Sequence, residues 1–315
     1  MIDIGDVKAA ATRISKYIRR TPLLRADQCA APASDADLWL KLECLQPTGS
    51  FKVRGATNKL LTTPRAELER GIVTASGGNH GLAVARAARL AGVKAIVFAP
   101  TTVTSEKVDK IRKWGAETRT VGALWDESNR EAIAFAERTG AVYFHPFADP
   151  AVVAGQGTIG LEILDQLPDV ETILVAIGGG GLISGLATAV KATKPGVRIV
   201  GIEPVGSPTL SASLAAGHVV RLAEVTTRVA TMACGRTDEG IFETVRSTVS
   251  EVVLIADEDM LDAARWLWFE FGIAADLSGA AAVAALRSGR MRPRQGERLC
   301  GLVCGAGSEG VTSTA

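Results

Sequence analysis

The sequence lacks the features that would direct it to nucleic acid or to a membrane. It has 35 basic and 34 acidic residues, a net charge of +1, so no excess of one sign attracts an anionic polymer or surface. Its first twenty residues are charged throughout and contain no apolar core of a secretory signal. The one uncharged stretch long enough to span a bilayer, residues 172–190, contains four consecutive glycines, whose backbone would be unsatisfied in lipid. We expect a soluble protein with neither type of partner.

Cysteine is also scarce, and its spacing excludes the usual structural uses. No CxxC pair and no Cys/His cluster at zinc spacing is present. An odd number of cysteines fits reduced, mostly buried thiols rather than a disulfide framework, so a cytoplasmic location and no bound metal are expected. The five positions are Cys29, Cys44, Cys234, Cys300 and Cys304.

What is present is a regular alternation of short β-branched runs and amphipathic helical stretches. IVTAS, from Ile72, precedes a helix that ends at Gly92, and KAIVFAP precedes a helix whose N-cap is Thr104 or Ser105. Asp126 is expected to cap the next helix. Continuous apolar strands between helices predict parallel sheets covered on both faces, an α/β fold. The 315 residues, 47% hydrophobic, suit two modest sheets, one formed by residues 70–145 and one from about residue 155 onward.

Ligands of such sheets lie beyond the carboxyl ends of the strands, which directs attention to a glycine-rich loop. AIGGGGLISG places four glycines between a buried strand and a helix, where backbone N–H groups converge on an anion such as phosphate. It matches neither the Walker nor the GxGxxG pattern, and a tight turn needs only one or two glycines. We expect the loop to face solvent, so that a side chain at Gly179 or Gly180 weakens anion binding far more than folding.

Two further segments carry side chains suited to chemistry. In ASGGNHG, the donors of Ser76, Asn79 and His80 stand at a helix start that suits a carboxylate, although helix capping explains Ser76 or Asn79 equally well. In QPTGSFKVRGA, the turn and N-cap residues 48–50 place Lys52 in the first helical turn, where the helix dipole lowers its pKa and favours an amine nucleophile. A solvated surface lysine is the alternative.

A third glycine-rich segment matches a dinucleotide-binding motif in its glycine spacing alone. Residues 305–310, GAGSEG, match GxGxxG after a strand. The chain ends at residue 315, so there is no room for the following helix, second strand and ribose-binding acid of a dinucleotide site. We therefore expect neither NAD nor FAD.

Taken together, these motifs resemble the fold-type II pyridoxal-phosphate (PLP) enzymes, specifically the threonine/serine dehydratases and serine racemases. The likeness covers nearly the whole chain, with long motifs in the same order and spacing. The resemblance implies two doubly wound sheet domains of the tryptophan synthase β type, PLP as cofactor and a small amino acid as substrate. The motifs are TPL, KLECLQPTGSFKVRGA, ASGGNHG, HPFADPAVVAGQGTIGLEI, GGGGL, GIEP, DLSGAAAVAAL and VCGAGS.

The resemblance also implies a role for each matching position. Lys52 would form the Schiff base with PLP and then move the Cα proton, and Phe51 would pack against the pyridine ring. Asn79 would bind the phenolic oxygen, and Cys304 lies where the family has a Ser or Cys beside the pyridine nitrogen. The substrate carboxylate would be held by Ser76, Gly77, Asn79 and His80, and the phosphate by Gly178, Gly179, Gly180, Gly181 and the N–H of Leu182.

Several departures from the family pattern bear on the reaction. Racemases of this group have a serine, the base on the second face, where this chain has Gly77, so racemisation is not expected. Glu203 is present but no nearby carboxylate follows it, which argues against a cation there. TMACGRTDEG and DLSGA replace the usual Ala-Asp-Gly and Glu-Pro-Ser-Gly-Ala, leaving substrate identity open. The chain ends after the catalytic core, so a regulatory domain is not expected.

The resulting prediction is a PLP-dependent ammonia-lyase that converts threonine or serine to a 2-keto acid and ammonia. Residues 1–50 and 148–315 would form the PLP-binding domain and residues 51–147 the smaller substrate-binding domain, in a homodimer. The alternatives are β-replacement as in cysteine synthases, a lyase for hydroxyaspartate or another β-hydroxy amino acid, and an inactive α/β ligand-binding module. Residues 53–56, VRGA, favour dehydratases over cysteine synthases.

Overall fold

A computed structural model describes residues 2–123 and 125–312 of the chain. Its ten strands form two separate sheets. The strands are β1 Leu23–Arg25, β2 Asp37–Lys41, β3 Ile72–Ala75, β4 Ala95–Ala99, β5 Glu117–Thr120, β6 Val142–Tyr143, β7 Thr172–Ala176, β8 Arg198–Pro204, β9 Glu251–Ile255 and β10 Arg298–Leu302. The helices are α1 Ile4–Ile14, α2 Lys52–Thr62, α3 Arg65–Leu68, α4 Asn79–Ala91, α5 Ser105–Lys113, α6 Trp125–Thr139, α7 Pro150–Gln166, α8 Gly181–Thr193, α9 Thr209–Ala216, α10 Glu239–Thr248, α11 Asp257–Phe271, α12 Leu277–Arg287 and α13 Glu309–Thr312.

The larger sheet has the strand order β1-β2-β10-β7-β8-β9. Only β1 is antiparallel to its neighbour, and the other strands are parallel. Its central strand β7 is buried along its whole length, as expected for a strand covered on both faces. The carboxyl ends of β7 and β10 lead into the glycine-rich loop and into Cys304 respectively, so both segments meet at one edge of this sheet.

The smaller sheet has the order β5-β4-β3-β6, with every pair parallel. Its central strand β3 is fully buried and runs into residues 76–80, which we call the Asn79 loop. The prediction of an α/β fold with parallel sheets is confirmed by this architecture. Each sheet presents one of the predicted binding loops at the carboxyl end of a buried strand.

Some predicted boundaries are corrected by the structure. Helix α2 begins at Lys52, as expected, but its N-cap is Phe51 and the Ser50 hydroxyl has no hydrogen-bond partner among the described residues. Helix α6 begins at Trp125, so Asp126 lies in the first turn rather than at the cap. A single turn, α13, does follow the GxG segment after β10, although it is too short to form a dinucleotide-binding unit.

A buried ionic cluster anchors helix α2 to the larger sheet. Arg54, fully buried, donates to Glu43 over 2.8 Å and to Glu162 over 2.7 Å. Lys41, equally buried, donates to Glu162 over 2.6 Å. Buried charges are tolerated only when each is paired and hydrogen-bonded, and removal of one partner is strongly destabilising. The cluster therefore fixes α2 firmly two residues beyond Lys52.

No helix in residues 2–123 or 125–312 is long and apolar enough to cross a bilayer.

Candidate active site

Lys52 is the chemically distinctive side chain of the site. Its Nζ donates to the carbonyl oxygen of Pro146 over 2.7 Å and lies 5.2 Å from the centre of the Phe51 ring. Within the described residues, no carboxylate is close enough to form an ion pair with it. Burial lowers the pKa of Lys52 to about 8. The sequence predicted a lowered pKa from the helix dipole, and the larger physical cause is desolvation of the ammonium.

Two histidines near Lys52 are held in the neutral form. Burial, with the nearby Lys52 charge, lowers the pKa of His80 to about 3 and that of His145 to about 4. The His80 Nε2 lies 3.0 Å from the Phe144 carbonyl oxygen, so it carries the proton, while its Nδ1 is buried without a partner in the described structure. The His145 Nδ1 accepts from the N–H groups of Phe147 and Ala148. Neither ring adds positive charge to the site.

The glycine loop, residues 178–181, connects β7 to α8. None of its four N–H groups, nor that of Leu182, donates a hydrogen bond to a residue that the structure describes. Free N–H groups at the start of a helix form a favourable anion site because the helix dipole adds to their partial charge. The Phe147 ring packs on Gly179, since an added Cβ there would lie 2.3 Å from it. Residues 146 and 147 thus join the loop to Lys52.

The expectation that the glycine loop faces solvent is wrong at Gly180. Gly180 is buried and has φ of +89°, and an added Cβ would lie 2.6 Å from Cγ2 of Ile241. A side chain at Gly180 would therefore meet α10 of the same chain and force a strained backbone. Folding therefore depends on this glycine, because the loop is packed rather than open to solvent at that point.

The Asn79 loop provides a second set of free donors. The N–H groups of Asn79 and His80 make no hydrogen bond within the described structure, whereas Gly78 N–H is bound by the Ser76 hydroxyl at 3.2 Å. An added Cβ at Gly77 would lie 2.2 Å from Cγ2 of Val103. The loop therefore presents backbone donors at the start of α4, and an apolar side chain fills the space beside Gly77.

Cys304 and Asn79 are linked through residues that the sequence did not identify as functional. Cys304, buried, donates to the Ser278 hydroxyl over 3.6 Å, and Ser278 donates to Asp276 over 2.7 Å. The other Asp276 oxygen accepts from Asn79 Nδ2 at 2.8 Å. The only signal in the sequence was the unusual DLSGA segment, which did not show a contact with Asn79. The main chain adds a bond of 3.1 Å from Phe51 N–H to the Cys304 carbonyl.

A cavity of about 430 Å³ lies beside Asn79 and Asp276. Its lining also includes Gly77, Leu277 and Lys107. This size is typical of small-ligand sites. We call it the Asn79 cavity.

Glu203 has a structural role at the start of α9. Its two carboxylate oxygens accept from the N–H groups of Leu210, at 2.7 Å, and Ser211, at 2.9 Å, at the start of α9. Burial raises its pKa to about 7. Within the described ranges no group of three potential metal ligands is brought together.

The residues present fit the cofactor that the resemblance implies. A partly buried primary amine without a carboxylate partner among the described residues is available at Lys52, and a Schiff base requires such an amine. Five consecutive free N–H groups at residues 178–182 are suited to a phosphate, although the loop carries no cationic side chain. Phe51, Asn79 and Cys304 are joined to these elements by the contacts described above. The structure thus brings together the predicted amine and ring-binding residues.

Comparison with known proteins agrees with this geometry. The family model described as "Pyridoxal-phosphate dependent enzyme" matches residues 14–305. The chain is 40% identical over 300 residues to an L-threonine ammonia-lyase of Geobacter sulfurreducens, covering 95% of this chain and 74% of that protein. It is 39% identical over 286 residues to an L-threonine ammonia-lyase of Thermotoga maritima, covering 91% and 71%.

Among solved structures, maize serine racemase superimposes with a TM-score of 0.91 at 32% identity, covering 96% of this chain and 93% of that one. The fold-type II prediction and the predicted cofactor are confirmed by these matches. With the family model spanning most of its length, the chain belongs to the pyridoxal-phosphate dependent enzyme family.

Proposed function

We propose that this enzyme is an ammonia-lyase that removes water from a small β-hydroxy-α-amino acid, threonine or serine, and yields a 2-keto acid and ammonia. Relatives that carry the name L-threonine ammonia-lyase support the reaction class. The observation that carries the proposal is at Gly77. The second base of a racemase would stand there, and this chain has instead a glycine whose side-chain space is filled by Val103. Proton transfer on one face alone favours elimination.

The cofactor would be held by the predicted residues. Lys52 would bind it covalently, Phe51 would support the ring, Asn79 would donate to the phenolic oxygen, and Cys304 would stand beside the ring nitrogen. Gly178, Gly179, Gly180, Gly181 and Leu182 would bind the phosphate through N–H groups. When bound, PLP supplies an aldehyde for the substrate amine and a ring that accepts the electron pair left by the Cα proton.

The Asn79 loop would orient the substrate. Free N–H groups of Asn79 and His80, with the Ser76 hydroxyl, suit the α-carboxylate. The His80 ring is 2% exposed and already bound to Phe144, so we assign its contribution to the backbone rather than to the imidazole. The Asn79 cavity would then receive the substrate side chain.

Lys52 would move the proton. With a pKa lowered to about 8, a useful fraction of its amine is unprotonated near neutral pH and can accept the Cα proton at Nζ. The resulting ammonium is an acid available as hydroxide leaves Cβ, so that water is the leaving product.

Cys304 would favour loss of the β-substituent. Burial raises the pKa of this thiol well above its usual range, so it is a neutral group at physiological pH. A neutral thiol does not hold a proton on the ring nitrogen as a carboxylate would. Bound PLP would then be a weaker electron sink, which would favour prompt departure of the hydroxyl over a long-lived carbanion.

We also propose that residues 51–147 form the substrate-binding domain and that residues 1–50 and 148–315 form the PLP-binding domain. The glycine loop lies in the second of these parts and the Asn79 loop in the first, and Lys52 and Phe51 lie at the boundary between the two. Five free cysteines support a reducing compartment such as the cytoplasm. The adjacent Trp268 and Phe269, 44% and 77% exposed, support a homodimer because large exposed apolar groups are typical of interfaces.

The test is a screen for 2-keto acid and ammonia release by PLP-loaded enzyme across L-serine, L-threonine, hydroxyaspartate and bulkier β-hydroxy amino acids, with the D-isomer or epimer followed in parallel. We expect keto-acid release from threonine or serine that greatly exceeds epimerisation, and none from Lys52→Ala. Epimerisation at a comparable rate would show a second base. Consumption of an added thiol with formation of a new amino acid and without keto-acid release would indicate β-replacement instead.

A further inference from the structure

Asp276 occupies a position that governs two proposed cofactor contacts at once. It is the N-cap of α12, where Oδ1 accepts from Gly279 N–H at 2.6 Å and from the Ser278 hydroxyl at 2.7 Å. Its Oδ2 accepts from Asn79 Nδ2 at 2.8 Å. Asp276 is 6% exposed. One carboxylate therefore connects α12 with the start of α4, 197 positions away in the sequence.

The chemistry of a carboxylate fixes the direction of each of these hydrogen bonds. A carboxylate only accepts, so the Asn79 amide must turn its nitrogen toward Asp276. The Ser278 hydroxyl must likewise donate its hydrogen to Asp276. The Ser278 oxygen is then the acceptor for the Cys304 thiol at 3.6 Å. The orientation of Asn79 and the direction of the Cys304 S–H both follow from a single charged group.

The surrounding backbone is shaped for this contact. An added Cβ at Gly305 would lie 2.4 Å from Asp276 Oδ2 and 2.9 Å from Asn79 Nδ2. Asp276 N–H also donates to the Gly305 carbonyl over 3.0 Å. Only a residue without a side chain allows the segment after Cys304 to lie this close to the Asp276–Asn79 pair.

We propose that Asp276 is a positioning residue that acts through Asn79, holding its amide so that the second Nδ2 hydrogen is directed at the phenolic oxygen of the cofactor. The inference rests on the proposed contact between Asn79 and PLP. Replacing the carboxylate by an amide places a donor opposite a donor. Asn79 must then turn over, which exchanges the positions of its oxygen and nitrogen and misplaces the hydrogen bond to the cofactor.

Substitutions that keep the helix cap separate this role from a purely structural one. Asparagine and serine are both good N-cap residues, so Asp276→Asn and Asp276→Ser preserve the start of α12 while reversing or removing the contact with Asn79. Asp3, the N-cap of α1 whose side chain accepts from Asp6 N–H at 3.0 Å, provides the control Asp3→Asn.

The experiment titrates PLP into full-length wild type, Asp276→Asn, Asp276→Ser, Asn79→Ala, the double variant Asp276→Asn/Asn79→Ala and the control. We expect Asp276→Asn to bind PLP about ten- to a hundredfold more weakly, the effect of one misplaced charge-assisted hydrogen bond. The absorption maximum of bound cofactor should shift, while the melting temperature of the cofactor-free protein changes little. In the Asn79→Ala background, Asp276→Asn should weaken binding by less than about twofold, because coupled residues are not additive.

The outcomes distinguish the positioning role of Asp276 from the proposed contact between Asn79 and PLP. PLP affinity and spectrum unchanged in both Asp276 variants, or losses that simply add in the double variant, would overturn the positioning role even if lyase activity is confirmed. Affinity and spectrum unchanged in Asn79→Ala would overturn the proposed Asn79 contact and the inference with it. An equal loss in Asp3→Asn would assign the effect to helix capping and refute the proposal.

Discussion

Lys52→Met is expected to make the cofactor-free protein more stable near neutral pH. The lysine has a pKa of about 8 in the folded chain against an ordinary value of 10.5. At pH 7 the ammonium is present in both states, so the folded state bears the cost of burying it. Methionine has a similar length and an apolar end, and it occupies the same space without that cost.

The lowering of the pKa from 10.5 to about 8 corresponds to about 3 kcal/mol at about 1.4 kcal/mol per pKa unit. Methionine also loses the hydrogen bond to the Pro146 carbonyl, worth about 1 kcal/mol, so the net gain at pH 7 is about 2 kcal/mol. Because the unfolded chain binds the extra proton between pH 8 and pH 10.5, wild-type stability rises with pH in that window. The advantage of the variant should therefore shrink by about 2 kcal/mol between pH 7 and pH 9.5.

Urea denaturation of the cofactor-free proteins at pH 7 and pH 9.5, followed by circular dichroism, measures both quantities. Lys16→Met, at an exposed position, is the matched control and should differ from wild type by less than about 0.5 kcal/mol at either pH. A Lys52→Met variant that is less stable than wild type at pH 7 would contradict the proposed cost of burying the ammonium. So would an advantage that is independent of pH, because a general packing gain would then explain it.

Three further predictions concern the same site. Gly180→Ala should lower both the melting temperature of the cofactor-free protein and the affinity for PLP, because Gly180 has a positive φ and an added Cβ would contact Ile241. A loss of affinity alone would mean that the loop can accommodate the methyl group without destabilising the fold. Gly77→Ser should destabilise the protein by about 1–3 kcal/mol through overpacking against Val103, and adding Val103→Ala should restore stability; chiral chromatography then tests whether the double variant epimerises serine. Borohydride reduction and peptide mapping should find the pyridoxyl group on Lys52, and a label on another lysine contradicts the assignment.

The sheets and their loops could be predicted from the sequence because their signals are local. IVTAS and ETILVAI are continuous apolar runs between helical stretches, and β3 and β7 lie within them. Lys52 could likewise be placed at a helix start from the preceding turn. These features depend on neighbouring residues, so a reading of periodicity and turn residues was sufficient.

What the sequence did not show depends on contacts between distant segments. The burial of Gly180 results from Ile241, which lies on α10 sixty-one positions later in the sequence. The bond between Asn79 and Asp276 joins the start of α4 to the start of α12. Ser50 looked like an N-cap by residue type, but its backbone pairs with Gly305 and Phe51 takes the cap position. Tertiary pairing decided each of these cases, and local preference could not indicate it.

The site concentrates groups that the folded chain leaves without a counter-charge or without a hydrogen-bond partner. Lys52 is a partly buried amine with no counter-charge among the described residues. His80 Nδ1 has no partner in residues 2–123 and 125–312, and the N–H groups of residues 178–182 bind no described residue. A buried group left unsatisfied, such as His80 Nδ1, costs about 1–3 kcal/mol. The Arg54 cluster two residues from Lys52 fixes the start of α2 through paired charges. The start of the helix and its anchored turn are therefore one arrangement, in which the fixed position of α2 keeps Lys52 desolvated and its pKa low.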